Sequence, residues 1–179
     1  MTTATASAIG ALVKRFPDSA KDIKLNLQNV LKAKHLNENQ VWGTALACAY
    51  NEGRQELIQA LLEEGADQLT EEVIADAQAA AALMSMNNVY YRFRHVVGNP
   101  AYQQRQAQLR MTAMGRPKTD RTTFELFSLA VSAINGCGMC MTSHEKVLRD
   151  HGLSEDGIHD GIRIAAVVRA AAVTLGIAQ

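Results

Sequence analysis

The chain has 179 residues, with 18 lysines and arginines against 18 aspartates and glutamates, for a formal net charge of +0. That length suits one domain with room for a hydrophobic core, and the balanced charge offers no electrostatic footprint for nucleic acid or an anionic membrane. No uncharged apolar run is long enough to span a bilayer, residues 1–10 lack the basic-then-apolar pattern of a signal peptide, and three cysteines, two of them in C-x-x-C, point to a reducing, cytoplasmic setting rather than a secreted disulfide framework.

In chain order, residues 1–16 read as a lead into a short helix, and Pro17-Asp18 as a turn or as a helix start with Asp18 as its cap. Residues 21–30 predict an amphipathic helix, with Ile23, Leu27 and Val30 on one side and lysines on the other. A polar joint over 35–39 precedes an apolar helix over 40–50, in which Cys48 is a small buried hydrophobe. Asn51-Glu52-Gly53 breaks that helix, another covers 54–64, and Gly65 stops it. Thr70-Glu71-Glu72 supplies a capping residue and an acidic first turn for an alanine-rich helix ending at Gly98-Asn99-Pro100. Residues 101–114 are expected to form a further helix, and Gly115-Arg116-Pro117 a loop. Almost nothing alternates with period two, so the fold class is all-α.

The reactive side chains gather in residues 125–144. Phe124, Leu126, Phe127, Leu129, Val131 and Ile134 surround Glu125, so its helix is apolar nearly all round and is expected to be buried. An ionised carboxylate there is costly unless paired, and burial pushes its pKa toward the range of a general base. The plainer alternative is a partly solvated Glu125 that helps cap the helix start. Asn135-Gly136 is a break, and from Cys137 the pattern is helical until Asp150-His151-Gly152, with Gly152 at a C-cap position. On that helix Cys137, Cys140 and His144 share one face. The cysteines fall in its first turn, where free N–H groups and the helix dipole favour a thiolate and lower a cysteine pKa from its ordinary ~8.5. A C-x-x-C so placed can close a disulfide and reopen it. The dipole favours Cys137 as the thiolate, whereas the spacing of His144 favours Cys140. The other histidines make weaker claims: His95 as a surface or interface residue, His151 as a partner for a helix C-terminus, and His35 and His159 as solvated positions.

An internal repeat is expected at an offset of 84 residues, with halves over roughly 36–98 and 120–179. Ala49-Tyr50-Asn51 falls on Ala133-Ile134-Asn135, and Leu69-Thr70-Glu71 on Leu153-Ser154-Glu155. At the same offset Glu125, Cys137, Cys140 and His144 fall on Val41, Gly53, Glu56 and Ala60. One half therefore dispenses with all four reactive residues, so the helical scaffold alone does not demand them. A thioredoxin-like motif would need a strand before the C-x-x-C, and the sequence has none. A structural zinc site wants four nitrogen or sulfur ligands, and only the remote Cys48 is in reserve, so no metal is expected.

Several stretches together resemble the AhpD alkyl hydroperoxidase family, within the carboxymuconolactone decarboxylase-like superfamily. They are residues 20–27, Trp42-Gly43-Thr44, residues 84–92, Leu109-Arg110-Met111, and the stretch from Phe124-Glu125-Leu126 through residues 132–137, the last the most specific. The resemblance covers almost the whole chain. It implies a single helical domain with an internal repeat, assembled as a homotrimer. It implies a peroxidase that reduces organic hydroperoxides, with no tightly bound cofactor, and that also reduces the peroxiredoxin AhpC. Electrons would come from reduced lipoyl groups of dihydrolipoamide acyltransferase, kept reduced by dihydrolipoamide dehydrogenase. By position, Cys140 is the attacking cysteine that becomes a sulfenic acid, Cys137 resolves it to a disulfide, and Glu125 and His144 form the proton relay. A disulfide-relay adaptor without peroxidase activity, and a decarboxylase-like member with an idle C-x-x-C, are the alternatives. Some family members carry a histidine where this chain has Met139. Met139 and Met141 are expected to form an apolar mouth for alkyl peroxides instead.

Overall fold

The computed structural model describes residues 7–178, and among these there are helices and connecting turns but no strand. The lead expected over residues 1–16 lies, for 1–6, outside the described residues. Helix α1 (Ala8–Val13) and a 3-10 turn at Asp18–Ala20 lead into α2 (Lys21–Val30). Next come α3 (Glu38–Glu52), α4 (Gln55–Glu64) and the long α5 (Glu71–Val97). A short α6 (Pro100–Gln103) and a 3-10 turn at Thr112–Gly115 precede α7 (Arg121–Ile134), α8 (Gly138–Asp150) and α9 (Glu155–Ile177). No helix of the described residues is long and apolar enough to cross a membrane.

Local chemistry sets these boundaries. The expected joint at 35–39 is the cap of α3: the Asn37 side chain accepts from the Gln40 N–H at 2.9 Å, and the Gln40 side chain accepts from the Asn37 N–H at 3.2 Å. This capping box starts the helix two residues earlier than its apolar pattern does. At the other end Asn51 and Glu52 stay helical, and Gly53 at φ 67° makes the left-handed stop. Thr70 and Ser154 cap α5 and α9 through their hydroxyls.

The helix expected over 101–114 does not form. Only Pro100–Gln103 is helical, Gln108 takes a left-handed φ of 52°, and none of residues 101–114 is buried. Most helical stability comes from burying an amphipathic face, and this stretch has none to bury. It runs instead as an irregular strap that returns at Met111 and Met114.

Two central helices organise the core. Helix α7 packs against α3, α5, α8 and α9, and α3 against α5 and α9 as well; α2 covers α9, and α1 covers α4. A Cβ added at Gly43 of α3 would meet the Phe127 ring of α7 at 2.2 Å, and one at Gly161 of α9 would meet Leu126 at 2.7 Å. These two close approaches clamp α7 from both sides immediately after Glu125.

Candidate active site

The site begins with the start of α7. Buried Asp76 of α5 accepts the backbone N–H groups of Lys118 at 3.0 Å and Thr119 at 2.7 Å, and the Thr119 hydroxyl at 2.7 Å. That anchor fixes the chain just before Asp120, whose carboxylate caps α7 through the Thr123 N–H at 3.0 Å and the Thr123 hydroxyl at 2.6 Å. Partial burial works against ionising Asp120, but these hydrogen bonds outweigh it and hold the carboxyl below its usual range.

One turn on, Glu125 is only 1% exposed. Its Oε2 lies 2.5 Å from Nδ1 of His144, and its Oε1 lies 2.6 Å from Nη2 of Arg121. Arg121 also donates through Nη1 to the Met114 carbonyl at 2.9 Å. The picture of a partly solvated capping residue is therefore replaced by a buried carboxylate paired at both oxygens, the condition under which such burial is tolerated. His144 is itself buried, and with Nδ1 turned to Glu125 its Nε2 is the nitrogen left for other work.

The cysteines follow from the turn between α7 and α8. Gly136 takes φ 68°, a conformation suited to glycine. Asn135 exchanges hydrogen bonds with Asn51 at 3.1 Å, donates to Asn88 at 3.0 Å, and has its carbonyl held by Arg92 at 2.5 Å. More than a break, Asn135 is tied to α3 and α5 at once. Cys137 is then the N-cap of α8, its Sγ accepting the Cys140 N–H at 3.3 Å. The two cysteines are joined by a disulfide. Cys137 is fully buried and Cys140 is 7% exposed.

That small difference has a spatial meaning. A cavity of about 410 Å³ opens between α5, the strap and α8, and Cys140 and His144 line it. Helix α5 contributes Met84, Asn87 and Tyr91, the strap Met111 and Met114, and α8 also Met139 and Ser143. Among the described residues, Cys137 and Glu125 stand outside this lining, one linked to Cys140 and the other to His144. Met139 is at the mouth, 37% exposed, whereas Met141 packs against the core rather than lining the cavity. A second cavity of about 460 Å³ is lined by polar side chains around Asn51, Asn88, Arg92 and Asn135 and holds neither redox cysteine.

Arg121, Asn87, Tyr91, Met111 and Met114 were not singled out from the sequence. Arg121 was legible in principle, since it stands four residues before Glu125. Met84, Asn87 and Tyr91 carry a helical spacing that marks one face of α5, but nothing local says that the face meets α8. Of the remaining candidates, Cys48 is fully buried, and burial, with Glu52 nearby, pushes its thiol up. His35 is exposed yet bonds Asp160 at 3.0 Å, and His151 lies 2.8 Å from the Val147 carbonyl at the end of α8. His95 and His159 are exposed.

Comparison with known proteins bears on the same residues. The sequence model of the carboxymuconolactone decarboxylase family matches residues 100–178, the part that holds all four predicted reactive side chains. The alkyl hydroperoxide reductase AhpD of Anaeromyxobacter dehalogenans is 49% identical over 172 residues, covering 96% of this chain and 92% of that protein. The alkyl hydroperoxide reductase AhpD of Rhizorhabdus wittichii is 50% identical over 156 residues, 87% of this chain and 90% of its own length. That of Methylocella silvestris is 46% identical over 172 residues, 96% of this chain and 97% of its own. Identity at this level across nearly the full length of each pair places the chain in the AhpD family.

Proposed function

We propose that this protein is a thiol peroxidase that reduces organic hydroperoxides at Cys140. The observation that carries the reading is positional: of the two cysteines, Cys140 lines the cavity beside His144, while Cys137 is buried behind it. In the reduced protein, His144 takes the Cys140 thiol proton on Nε2, and Glu125 on Nδ1 fixes the ring and stabilises the imidazolium. The Cys140 thiolate attacks the terminal oxygen of the hydroperoxide. The O–O bond breaks, the alkoxide leaves, and the imidazolium returns the proton to give an alcohol and a Cys140 sulfenic acid. The Cys137 thiol displaces water from that sulfur and closes the disulfide.

A second cycle half must restore the thiols. A reduced lipoyl group is the electron donor in this reading, carried by dihydrolipoamide acyltransferase and recharged by dihydrolipoamide dehydrogenase, and the peroxiredoxin AhpC is a second acceptor. The protein works as a single-domain homotrimer in the cytoplasm. The apolar lining of four methionines supports an alkyl or aryl group on the peroxide rather than hydrogen peroxide alone.

The test is turnover of cumene hydroperoxide by the purified protein with dihydrolipoamide. Consumption that is lost in Cys140→Ser is expected. Disulfide exchange with dihydrolipoamide but no peroxide consumption would leave only a disulfide relay. Activity that survives both cysteine substitutions would point to chemistry outside the C-x-x-C.

A further inference from the structure

Asn87 is 3% exposed, yet its Oδ1 has no hydrogen-bond partner, while its Nδ2 donates to the Met114 sulfur at 3.5 Å. A buried amide oxygen left without a donor is costly. Where such a group borders open volume, a water or a ligand supplies the donor. The open volume beside Asn87 is the cavity that also contains Cys140 and His144. Its neighbour on α5 makes the contrast: Asn88 donates to Ser132 at 2.9 Å and accepts from Asn135 at 3.0 Å.

The bond to Met114 has a second consequence. It turns the amide so that nitrogen faces the strap and the oxygen remains the free group. Met84, Met111 and Met114 supply apolar wall around it. The cavity therefore combines one unsatisfied acceptor, an apolar surround, and the sulfur and imidazole at its α8 side.

We propose that Asn87 is the anchor that seats an organic hydroperoxide, its Oδ1 accepting the hydrogen bond of the peroxide's terminal O–H while the carbon portion lies on the methionines. This rests on the peroxidase reading above and adds the group that orients the substrate. Holding the terminal oxygen by its own proton turns that oxygen toward Cys140, where the thiolate bonds to it. The O–O pair of electrons leaves with the alkoxide, which takes its proton from His144, and the terminal hydroxyl stays on sulfur as the sulfenic acid. An ether-like dialkyl peroxide, which lacks the O–H, cannot use the anchor.

The test measures two reactions of Cys140 in the reduced protein. One is sulfenic acid formation with cumene hydroperoxide, followed in the Cys137→Ser background by dimedone capture. The other is alkylation by iodoacetamide, which needs no peroxide anchor. Asn87→Leu should slow oxidation by about tenfold or more, the scale of a lost hydrogen bond in a shielded site, with alkylation within about twofold of the parent. Asn87→Ala removes the amide without adding bulk and carries the same expectation. Equal loss in both reactions would make Asn87 a residue that tunes the thiol, and no loss in either would make it a bystander; each result overturns the proposal. If the parent itself shows no oxidation by cumene hydroperoxide, the peroxidase reading has failed instead.

Discussion

Glu125 has two partners, and they are not equivalent. Arg121 is on its own helix and 42% exposed, whereas His144 comes from α8 and is buried. The arginine reaches the carboxylate from the solvent side, and the histidine links it to the cavity. Glu125→Gln keeps the volume and leaves no buried charge, but a neutral amide cannot stabilise an imidazolium on Nδ1. We expect folded protein whose sulfenic acid formation is slower by about 10²–10⁴, the range for disabling general-base catalysis, here at His144. Rates within a few-fold of wild type across neutral pH would reduce Glu125 to packing. Cys137→Ser tests the other half of the pair: one equivalent of peroxide should leave Cys140 as a sulfenic acid that dimedone traps, or over-oxidise it. Fast dimedone labelling of Cys137 in Cys140→Ser, with none on Cys140 in the reciprocal variant, would reverse the roles and make the helix dipole decisive. The grouping of Glu125, Cys137, Cys140 and His144 was legible because a carboxylate is out of place in an apolar helix and the C-x-x-C and His144 follow at local, one-turn spacings. Asn87 and the strap methionines were not, because their part in the site comes from the packing of α5 and the strap against α8.

Helix α7 is held by contacts that leave little freedom. The apolar run from Phe124 predicted its burial, but only the structure gives the reason for Gly43: the Phe127 ring occupies the place of its side chain. Gly43→Ala should force the α3 and α7 backbones apart and cost about 1–3 kcal/mol, as overpacking does. Thermal unfolding reads the loss, and Phe127→Leu in the same chain should restore part of it. An unchanged midpoint in the single variant would mean that the ring moves freely. The strap from Ala101 shows the opposite case. It is rich in glutamine, arginine and alanine, good helix formers, but without a buried face propensity does not suffice. A different tie joins the α2–α3 connection to α9. Burial works against ionising Asp160, but hydrogen bonds from His35 and Arg163 outweigh it and hold the carboxyl below its usual range. A carboxylate depressed on folding contributes stability above its unfolded pKa of about 3.9, and loses it as pH falls through the lower folded value. Asp160→Asn should therefore destabilise the protein near neutrality, with the gap from wild type closing in acid. A gap that is constant with pH would show that the ion pairs are idle.

Helix α5 relates the site to what surrounds it. Met84, Asn87 and Tyr91 face the cavity, while Val89, Phe93 and Val96 are 61%, 46% and 75% exposed. At about 3.6 residues per turn the two sets fall on opposite sides of the helix. Val97 and Tyr102 are 48% and 39% exposed, and the Tyr102 ring stands 5.2 Å from that of Phe93. Exposed apolar faces of this kind mark contact sites. In the proposed trimer it would be covered, and the cavity wall would be buttressed from behind. Val96→Glu places a charge on that face, outside the cavity lining. Sedimentation velocity should show the wild type as a trimer and this variant as smaller species. Peroxide turnover should fall with it, through a weaker grip on hydroperoxide rather than through slower iodoacetamide labelling of Cys140, because Glu125, Cys140 and His144 sit on α7 and α8. A wild type that sediments as a monomer at tens of micromolar would remove the trimer. A monomeric variant with full turnover would show that assembly and the cavity wall are independent.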